Sequence, residues 1–475
     1  MKEAFTFHDV LLVPKRSSIR SRRDVDTAGR FSKNIVLKVP IVSANMDTVT
    51  EARMAIAMAR CGGLGIIHRF LTIEEEVAEV AKVKRAENVI IENPYTVGPD
   101  DTIGGARREM ARHSVGGLLV VDRERKLIGI VTERDLQFHD ADDTPLHKVM
   151  TKKVVTAKAG LPFEKAQEIL RDHKIEKLPL VGPKGEIAGL ITAKDLKARK
   201  HHPDASKDKK GKLLVGAAVG VVGDYLERAA ALLDAGADVL VVDVAHGHAD
   251  HVIEAVKKIK KRFPSAELVA GNVATYEGAR DLVAAGADGI KVGVGPGSIC
   301  STRIVSGSGA PQLSAIIECA KITRERGIPV NADGGIRDSG DIAKALAAGA
   351  SSVMLGSLLA GCDESPGWPV VRDGQRYKVY RGMASLGATL SRKKKDNPED
   401  LDPIEIAEVV PEGVESMSPY KGPVADVVFQ LIGGVRSGMS YSGARSLQEF
   451  WDKHEFVRIT PAGWAESRPH HLDKR

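Results

Sequence analysis

The sequence predicts an α/β protein whose main part is a (β/α)8 barrel, or TIM barrel, interrupted by an inserted and internally repeated unit. Three observations lead to this prediction. Eight short apolar runs are spread along the chain, glycine-capped amphipathic stretches follow several of them, and one long gap in the series holds two copies of another unit. Strands that alternate with helices form parallel sheets, and eight such strands suit a closed barrel. The alternative is a doubly wound open sheet.

The apolar runs are continuous rather than alternating, which is typical of parallel strands buried on both faces. Amphipathic stretches that end in glycine, at 223–237, 276–287 and 339–350, are typical of helices with glycine C-caps. The predicted strands are 40–46, 64–68, 213–220, 239–245, 267–273, 289–295, 329–335 and 352–358.

The gap between the second and third strands, 94–200, contains the repeat. Each copy reads as a strand, a helix, two strands split by a charged turn, and a Thr-x-x-Asp-Leu sequence. The unit resembles a tandem pair of CBS domains (a Bateman domain), a regulatory module that binds purine nucleotides. The resemblance implies that Thr132, Asp135, Thr192 and Asp195 hold the ribose and phosphate of a nucleotide effector. N-capping of the following helices by the same residues is the alternative.

The position of the repeat sets the expected domain boundaries. Residues 1–93 and 201–475 form the predicted catalytic barrel, 94–146 the first CBS domain and 147–200 the second. The polar stretch 197–212 is expected to lead the chain back to the barrel.

Composition excludes several classes of protein. The 475 residues carry a net charge of only +6 and 4% aromatic residues, which disfavours nucleic-acid binding and fits small phosphate-bearing ligands. The sequence has no run of 18 apolar residues, so we expect no membrane span. The N-terminus has no signal-peptide pattern, and the four cysteines form no CxxC pair, so a cytoplasmic location with free thiols is expected.

The segment from Lys291 to Arg303, KVGVGPGSICSTR, is the strongest candidate for a chemical centre. An apolar strand ends in closely spaced glycines, which allow backbone amides to approach a ligand, and a thiol, two hydroxyls and a guanidinium follow. Cys300 is therefore placed in a loop at the carboxyl end of a barrel strand, where barrel active sites lie. We predict that Cys300 is a nucleophile and that Cys61, Cys319 and Cys362 are inert.

Two later strands end in sequences suited to phosphate. Asn331-Ala-Asp-Gly-Gly335 closes the predicted seventh strand, and Met354-Leu-Gly-Ser357 closes the eighth. Loops after these two strands form the usual phosphate site of a (β/α)8 barrel. The Asp333 carboxylate is better suited to ribose hydroxyls than to phosphate. The alternative is a pair of glycine turns that only close the barrel.

These motifs together resemble the IMP dehydrogenase/GMP reductase family. The resemblance rests on GVGPGSICSTR, VLVVDVAHGH, AGNVAT, NADGGIRDSGDIAKALAAGA and YRGMASLGA, and it extends from FTFHDVLLVP to ITPAGWAESRPH. It implies that Cys300 attacks C2 of a purine nucleotide and that hydride passes between C2 and a nicotinamide cofactor. It also implies a homotetramer or octamer with GMP or IMP as substrate.

The resemblance assigns the remaining site residues. Thr302 and Glu412 match a pair that relays protons beside the nucleophile. Nucleotide-binding positions are matched by Ser298, Asp333, Gly335, Gly356, Ser357, Tyr380, Gly382, Met383 and Gly413. Cofactor-binding positions are matched by Asp243, Asn272, Gly293 and Gly295. Ligands of potassium or another monovalent cation are matched by Gly295, Gly297 and Cys300, with Glu466, Ser467 and Arg468 supplied by a neighbouring subunit. Arg468 stands where many relatives have His.

The family contains two reactions, and the sequence favours one of them. IMP dehydrogenase oxidises IMP with NAD and hydrolyses the thioimidate with an Arg-Tyr pair as base, whereas GMP reductase expels ammonia from GMP and uses NADPH. Segment 385–422 contains Arg392 and a Lys393–Lys395 run but no Arg-Tyr dipeptide. PQLSAIIEC at 311–319 also looks more like reductases. We therefore predict a GMP reductase, with IMP dehydrogenase as the alternative.

A third hypothesis is a catalytically silent nucleotide sensor. The retention of Cys300, Thr302 and Glu412 together argues against it.

Overall fold

The computed structural model describes residues 2–86, 91, 93–113, 115–139, 141–193, 202–388 and 410–467. The chain divides into two compact units. The larger unit comprises Met1–Ala86 and Asp204–Arg475, and the smaller unit is Glu87–Pro203.

The strands occur in the following order along the chain. They are β1 (Val10–Leu12), β2 (Gly29–Arg30), β3 (Val36–Leu37), β4 (Ile41–Ser43), β5 (Leu64–Ile67), β6 (Thr96–Val97), β7 (Gly117–Val121), β8 (Leu127–Thr132), β9 (Ala157–Lys158), β10 (Lys177–Val181), β11 (Ile187–Thr192), β12 (Gly216–Val219), β13 (Val239–Asp243), β14 (Glu267–Val273), β15 (Gly289–Val292), β16 (Val330–Asp333), β17 (Ser352–Leu355), β18 (Pro369–Arg372), β19 (Gln375–Arg381), β20 (Glu415–Pro419) and β21 (Phe456–Arg458).

The helices are numbered in the same way. They are α1 (Ala52–Arg60), α2 (Ile73–Ala86), α3 (Ile103–His113), α4 (Glu133–Leu136), α5 (Phe163–Asp172), α6 (Tyr225–Asp234), α7 (Asp250–Arg262), α8 (Tyr276–Ala284), α9 (Thr302–Val305), α10 (Gln312–Cys319), α11 (Lys321–Arg326), α12 (Ser339–Ala347), α13 (Val424–Tyr441), α14 (Leu447–Lys453) and α15 (Pro461–Glu466). Short 3₁₀ turns lie at Phe7–Asp9, Arg22–Asp24 and Leu146–Lys148.

The larger unit is a closed parallel barrel. Its strands follow the order β12, β13, β14, β15, β16, β17, β4 and β5, and β5 pairs with β12 to close the ring. All eight predicted strands are confirmed, and the open-sheet alternative is wrong because no strand of the ring has a free edge. Most residues of these strands are buried, which explains why their sequences are continuously apolar.

The helices predicted from the glycine-capped stretches are α6, α8 and α12, and all three are present. After each one the chain reads Ala-Gly-Ala and enters the next barrel strand. In two of these turns an aspartate follows, and the turn is fixed by a buried ion pair. Asp238 accepts hydrogen bonds from Lys84 Nζ (2.9 Å) and the amide of Val215 (2.8 Å). Asp288 accepts the same pair of hydrogen bonds from Lys260 Nζ (2.8 Å) and from a backbone amide in β14.

The smaller unit contains two three-stranded sheets of the same construction. In one sheet β7 lies between β6 and β8, and in the other β10 lies between β9 and β11. The central strand pairs parallel with its first neighbour and antiparallel with its second in both sheets. A register shift occurs at Val120/Val121 in one copy and at Leu180/Val181 in the other. The sequence repeat is thus also a structural repeat.

Small antiparallel sheets also belong to the larger unit, one of them formed by β2 and β3. An antiparallel sheet of β18, β19 and β20 follows the last barrel strand. β1 pairs antiparallel with β21, and the Trp464 ring stacks on the His8 ring at 3.9 Å between centroids. Among the described residues, no helix has the length and apolar character needed to cross a bilayer.

The Lys84 ion pair provides a test of how the barrel is stabilised. Lys84→Met should lower the free energy of unfolding by about 3 kcal/mol, because it leaves the carboxylates of Asp238 and Asp208 without their shared cation. Lys82→Met is the matched control, since Lys82 lies two residues away on α2 and pairs with Glu79 at the surface; it should change stability by less than about 1 kcal/mol. Urea denaturation of both variants measures the difference, and equal losses would contradict this assignment.

Candidate active site

A hydrogen-bonded line of three side chains lies at the carboxyl end of β15. The exposed Cys300 thiol donates to Thr302 Oγ1 at 3.2 Å, and the Thr302 hydroxyl donates to Glu412 Oε2 at 2.7 Å. The arrangement connects a solvent-accessible sulfur to a carboxylate through a single hydroxyl, so a proton can pass between them. Sequence analysis predicted these three residues as a group, and the structure brings them together.

Backbone pairing brings Glu412 close to Cys300, although the two residues are 112 positions apart in the sequence. Cys300 and Gly413 form an antiparallel bridge. The Ser301 amide donates to the Glu412 carbonyl at 2.9 Å, and the Glu412 amide donates to the Ala384 carbonyl at 3.1 Å. A Cβ on Gly413 would lie only 3.0 Å from the Ser385 amide nitrogen. Glycine therefore favours the close approach of the Glu412–Gly413 segment to the turn at 382–385.

The other guanidinium and thiol groups of the region are engaged or buried. Arg303 donates to the Ala310 carbonyl. Burial raises the pKa of Cys61 to about 11 and that of Cys362 to about 12, and it also raises the pKa of Cys319. Cys300 is the exposed cysteine of the four, as a nucleophile must be.

The predicted nucleotide-binding residues surround the cysteine loop. Tyr380 is buried, its hydroxyl lies beside Gly356, and its pKa is raised by burial to about 12 although Ser298 hydrogen-bonds to it. Gly335 lies against Pro296 of the cysteine loop, with φ at +78°. Ser357 directly follows Gly356 in the turn after β17. Gly382 packs on Gly413, and Met383 is the next residue of the same turn.

A buried charge cluster links two carboxylates predicted for different ligands. Lys291 in β15 is 2% exposed, and its Nζ contacts Asp243 Oδ1 at 2.9 Å and also contacts Asp333 Oδ2. Asn45 donates to Asp243 at 2.6 Å, and Asn272 donates to Asp333 at 2.9 Å. Burial alone would lower the pKa of Lys291, but the two carboxylates outweigh it and hold the pKa above its ordinary value.

The same charges act on the carboxylates. Burial opposes ionisation of Asp243, yet the Lys291 charge and hydrogen bonds from Lys291 and Asn45 hold the pKa of Asp243 below its ordinary value. Asn272 also donates to the Gly293 carbonyl at 2.7 Å, which ties the predicted cofactor residues to the start of the cysteine loop. Asp243 therefore stays an anionic hydrogen-bond acceptor at neutral pH.

Sequence reasoning missed several residues that build the site. Lys291 and Asn45 hold the carboxylates, and Gln312 Nε2 donates to the carbonyls of Val292 (2.9 Å) and Asp333 (3.0 Å). A lysine inside an otherwise apolar strand, in GIKVGVG, was a usable signal because buried lysines are rare without a paired anion. No comparable signal marks Asn45 or Gln312.

The predicted cation ligands have the chemistry that such an ion requires. Gly295, Gly297 and Cys300 belong to one loop, and the Gly297 carbonyl accepts the Cys300 amide at 3.1 Å. Main-chain carbonyls are suitable ligands for a monovalent cation. Glu466 ends α15 and Ser467 follows it, with the Ser467 hydroxyl donating to the Gly463 carbonyl at 3.1 Å. Arg468 lies outside the described residues, as do Arg392 and Lys393–Lys395.

In the smaller unit, Thr132 and Asp135 contact each other. The hydroxyl and the amide of Thr132 both donate to Asp135 Oδ2, at 2.7 and 2.8 Å. Both residues line a cavity of about 650 Å³ together with Thr151 and Lys177. Thr192 ends β11 at the position equivalent to Thr132, and Asp195 lies outside the described residues. The contact between Thr132 and Asp135 agrees with the interpretation of these residues as a helix cap. The cavity that they line also has room for a ligand.

Comparisons with known proteins agree on the family. The model of the IMP dehydrogenase/GMP reductase domain matches residues 4–470. An IMP dehydrogenase of Nitrosopumilus maritimus is 57% identical over 469 residues, which are 99% of this chain and 98% of that protein. An IMP dehydrogenase of Aquifex aeolicus is 55% identical over 99% of this chain and 96% of its own length.

Solved structures of Trypanosoma brucei GMP reductase are also similar. The complex with guanosine 5'-monophosphate has a TM-score of 0.93 and 47% identity, over 99% of this chain and 98% of that one. The complex with guanosine 5'-triphosphate has a TM-score of 0.81 and 42% identity, over 97% and 98%. With this match of sequence, barrel and cysteine loop, the chain belongs to the IMP dehydrogenase/GMP reductase family of NAD(P)-dependent oxidoreductases.

Proposed function

We propose that this protein is a GMP reductase, which converts GMP to IMP and ammonia at the expense of NADPH. The observation that carries the proposal is that segment 385–422 contains no Arg-Tyr pair, although it supplies Glu412 to the line from Cys300 through Thr302. The line can deliver a proton to a departing amine. The segment lacks the base that the family uses to activate water.

In the first half of the reaction the Cys300 sulfur forms a bond to C2 of GMP. The thiol proton passes through the Thr302 hydroxyl to Glu412, along contacts of 3.2 and 2.7 Å. The C2–N bond then breaks, and the same relay returns the proton so that ammonia leaves as a neutral molecule. A thioimidate between Cys300 and the purine remains.

In the second half the thioimidate is reduced. When bound, the reduced nicotinamide supplies a hydride to C2. The C2–S bond breaks, and Cys300 departs as a thiolate that recovers its proton through Thr302. IMP is then free to leave, and the overall reaction is GMP plus NADPH plus a proton to IMP plus ammonia plus NADP.

The substrate roles are those that the resemblance to the family implies for the residues around the cysteine loop. Amides of the glycine loops after β16 and β17 bind the phosphate, Asp333 accepts from the nucleotide ribose, and Asp243 accepts from the cofactor ribose. The phosphate and base site is made by Ser298, Gly335, Gly356, Ser357, Tyr380, Gly382, Met383 and Gly413. The cofactor site is made by Asp243, Asn272, Gly293 and Gly295. A monovalent cation bound by the carbonyls of Gly295, Gly297 and Cys300 would stabilise the cysteine loop, with Glu466, Ser467 and Arg468 of a neighbouring subunit in a homotetramer or octamer.

The smaller unit is proposed to be a CBS pair that binds a purine nucleotide effector. Its two sheets share strand order and register shift, and Thr132 and Asp135 line its cavity. The similar T. brucei GMP reductase has been solved in complex with guanosine 5'-triphosphate, and we extend purine nucleotide binding to this protein as part of the proposal.

IMP dehydrogenase is the second candidate, because relatives that are 57% and 55% identical carry that name. That reaction would use NAD and a water molecule and would release XMP. Hydrolysis needs a base that deprotonates water next to the thioimidate. Among the described residues of the site, Glu412 of the relay is the candidate for that base.

The nucleophile can be tested directly. Cys300→Ser should abolish turnover and leave GMP binding within about tenfold, because a hydroxyl is a far poorer nucleophile at neutral pH. Cys61→Ser is the matched control and should retain turnover, since its sulfur is largely buried. Stopped-flow absorbance of NADPH and isothermal titration of GMP give both quantities, and substantial turnover by Cys300→Ser would remove that residue from its role.

The direction of the reaction is a second prediction. GMP with NADPH should turn over steadily, whereas IMP with NAD should give at most a burst of hydride transfer followed by slow XMP release. Glu412→Gln should reduce GMP turnover by about 10²–10⁴ and preserve GMP binding, because it interrupts only the proton relay. Glu415→Gln, an exposed carboxylate three residues further on, should leave turnover unchanged. Steady XMP production without any GMP-dependent oxidation of NADPH would establish the second candidate instead.

Regulation is a third prediction. A variant in which a short glycine-serine linker replaces 87–203 should retain turnover, because the larger unit has its own core. The intact protein should change its rate with a purine nucleotide such as GTP or ATP, and the shortened variant should not. Asp135→Ala in the full chain should have the same effect as the deletion. Identical nucleotide responses in all three proteins would leave the Thr132–Asp135 contact as a helix cap only.

A further inference from the structure

Lys291 lies between the two ligand sites although it can belong to neither. It is in the interior of the barrel, 2% exposed, so a bound ligand has almost no access to its ammonium group. The carboxylates that it contacts are more accessible, with Asp243 at 24% and Asp333 at 21% of their side-chain surface. Each aspartate therefore contacts Lys291 and still keeps part of its side chain exposed.

The strand order places Lys291 between the two carboxylates. β15 pairs on one side with β14 and on the other with β16. On β14 the residue opposite Lys291 is Gly271, and the two strands approach so closely there that a Cβ on Gly271 would clash with the Lys291 carbonyl oxygen. Asp333 ends β16, the adjacent strand, whereas Asp243 ends β13, two strands away. The long side chain of Lys291 thus joins strand ends that share no ladder hydrogen bonds.

Charge makes the two carboxylates dependent on each other. Lys291 is one cation shared by two anions, and Asn45 and Asn272 each add a single hydrogen bond, one to each carboxylate. Any movement of the ammonium toward one carboxylate weakens its interaction with the other. A ligand hydroxyl that fixes Asp333 also fixes Lys291, and through it Asp243, before the second ligand arrives.

We propose that Lys291 is a positioning residue that couples nucleotide binding to nicotinamide binding. The inference rests on the proposed assignment of Asp333 to the nucleotide ribose and Asp243 to the cofactor ribose. Because the first ligand orders the shared cluster, the second ligand binds to a carboxylate that is already in place, and the coupling is positive. Coupling between sites in proteins commonly amounts to about 5- to 150-fold in affinity.

Equilibrium binding in a chemically inert background tests the coupling. In Cys300→Ala, the Kd of NADPH is measured without and with saturating GMP, and the Kd of NAD without and with saturating IMP. We expect each nucleotide to tighten binding of its cofactor at least about fivefold. When Lys291→Met is added, the Kd of each cofactor should be nearly the same with and without its nucleotide, so the ratio of the two Kd values should be close to one. Lys291→Arg keeps the cation and should restore most of the tightening. Lys344→Met is the matched control, since Lys344 is also buried but donates to the Phe7 carbonyl at 2.8 Å.

The outcomes separate the possible roles of Lys291. An unchanged ratio in Lys291→Met, even with both ligands weakened, would overturn the proposal and leave Lys291 a structural residue. Absence of coupling in the Cys300→Ala parent would overturn it as well. If Lys291→Met does not fold, Asp243→Asn serves instead, and it should lose the coupling while GMP binding alone is retained. A coupling seen only with IMP and NAD would support the role of Lys291 and contradict the reductase assignment. Failure of the coupling proposal and failure of the reductase proposal therefore give different results.

Discussion

The site depends on one buried ammonium group that neutralises two carboxylates at the ends of different strands. Removing charges from water is unfavourable, and a buried ion pair is tolerated only when the geometry and the additional hydrogen bonds are good. Here Lys291 has both carboxylates in contact, and an asparagine supports each of them. Barrel closure is what makes this possible, because in a closed ring the ends of β13, β15 and β16 face a common interior.

The second constraint is the close approach of two loops that are far apart in sequence. The cysteine loop follows β15, and the glutamate precedes β20, in a sheet that is added after the barrel is complete. The bridge between Cys300 and Gly413 places Glu412 so that the Thr302 hydroxyl connects its carboxylate to the Cys300 thiol. The site therefore does not belong to the barrel alone. The barrel and its loops supply the Cys300 thiol, the Thr302 hydroxyl and the two carboxylates that contact Lys291, and the segment before β20 supplies Glu412.

The barrel was predictable from sequence because its strands are buried on both faces and read as apolar runs. The repeated unit was predictable because two copies of the same pattern reinforce each other. The register shifts at Val120/Val121 and Leu180/Val181 were not predicted and are seen only in the structure. The added sheet was not predicted. Its strand β18 is largely exposed and has no clear periodicity, so its position is set by pairing with β19 and not by a local pattern.

The residues of the site also fall into some that were predicted from the sequence and some that were missed. Cys300, Thr302 and Glu412 were predicted as a group because their motifs resemble those of a known family, whereas composition and spacing alone could not place Glu412 beside the thiol. Asn45 and Gln312 were missed because an amide has no distinctive sequence signal. Their roles come from donating to carboxylates or carbonyls that only the closed barrel brings within reach.

The two reactions of the family share the thioimidate, so the residues that form it cannot decide between them. In both proposed reactions Cys300 and its relay would act in the same way, and the identities of 57% to one IMP dehydrogenase and 47% to a GMP reductase do not separate the two. The decision lies in what happens next at C2, where hydride delivery competes with attack by water. A relay that ends in a carboxylate can exchange a proton with ammonia directly, whereas hydrolysis requires a base placed to deprotonate water during its attack. Because segment 385–422 contains no Arg-Tyr pair, we propose hydride transfer as the fate of the thioimidate.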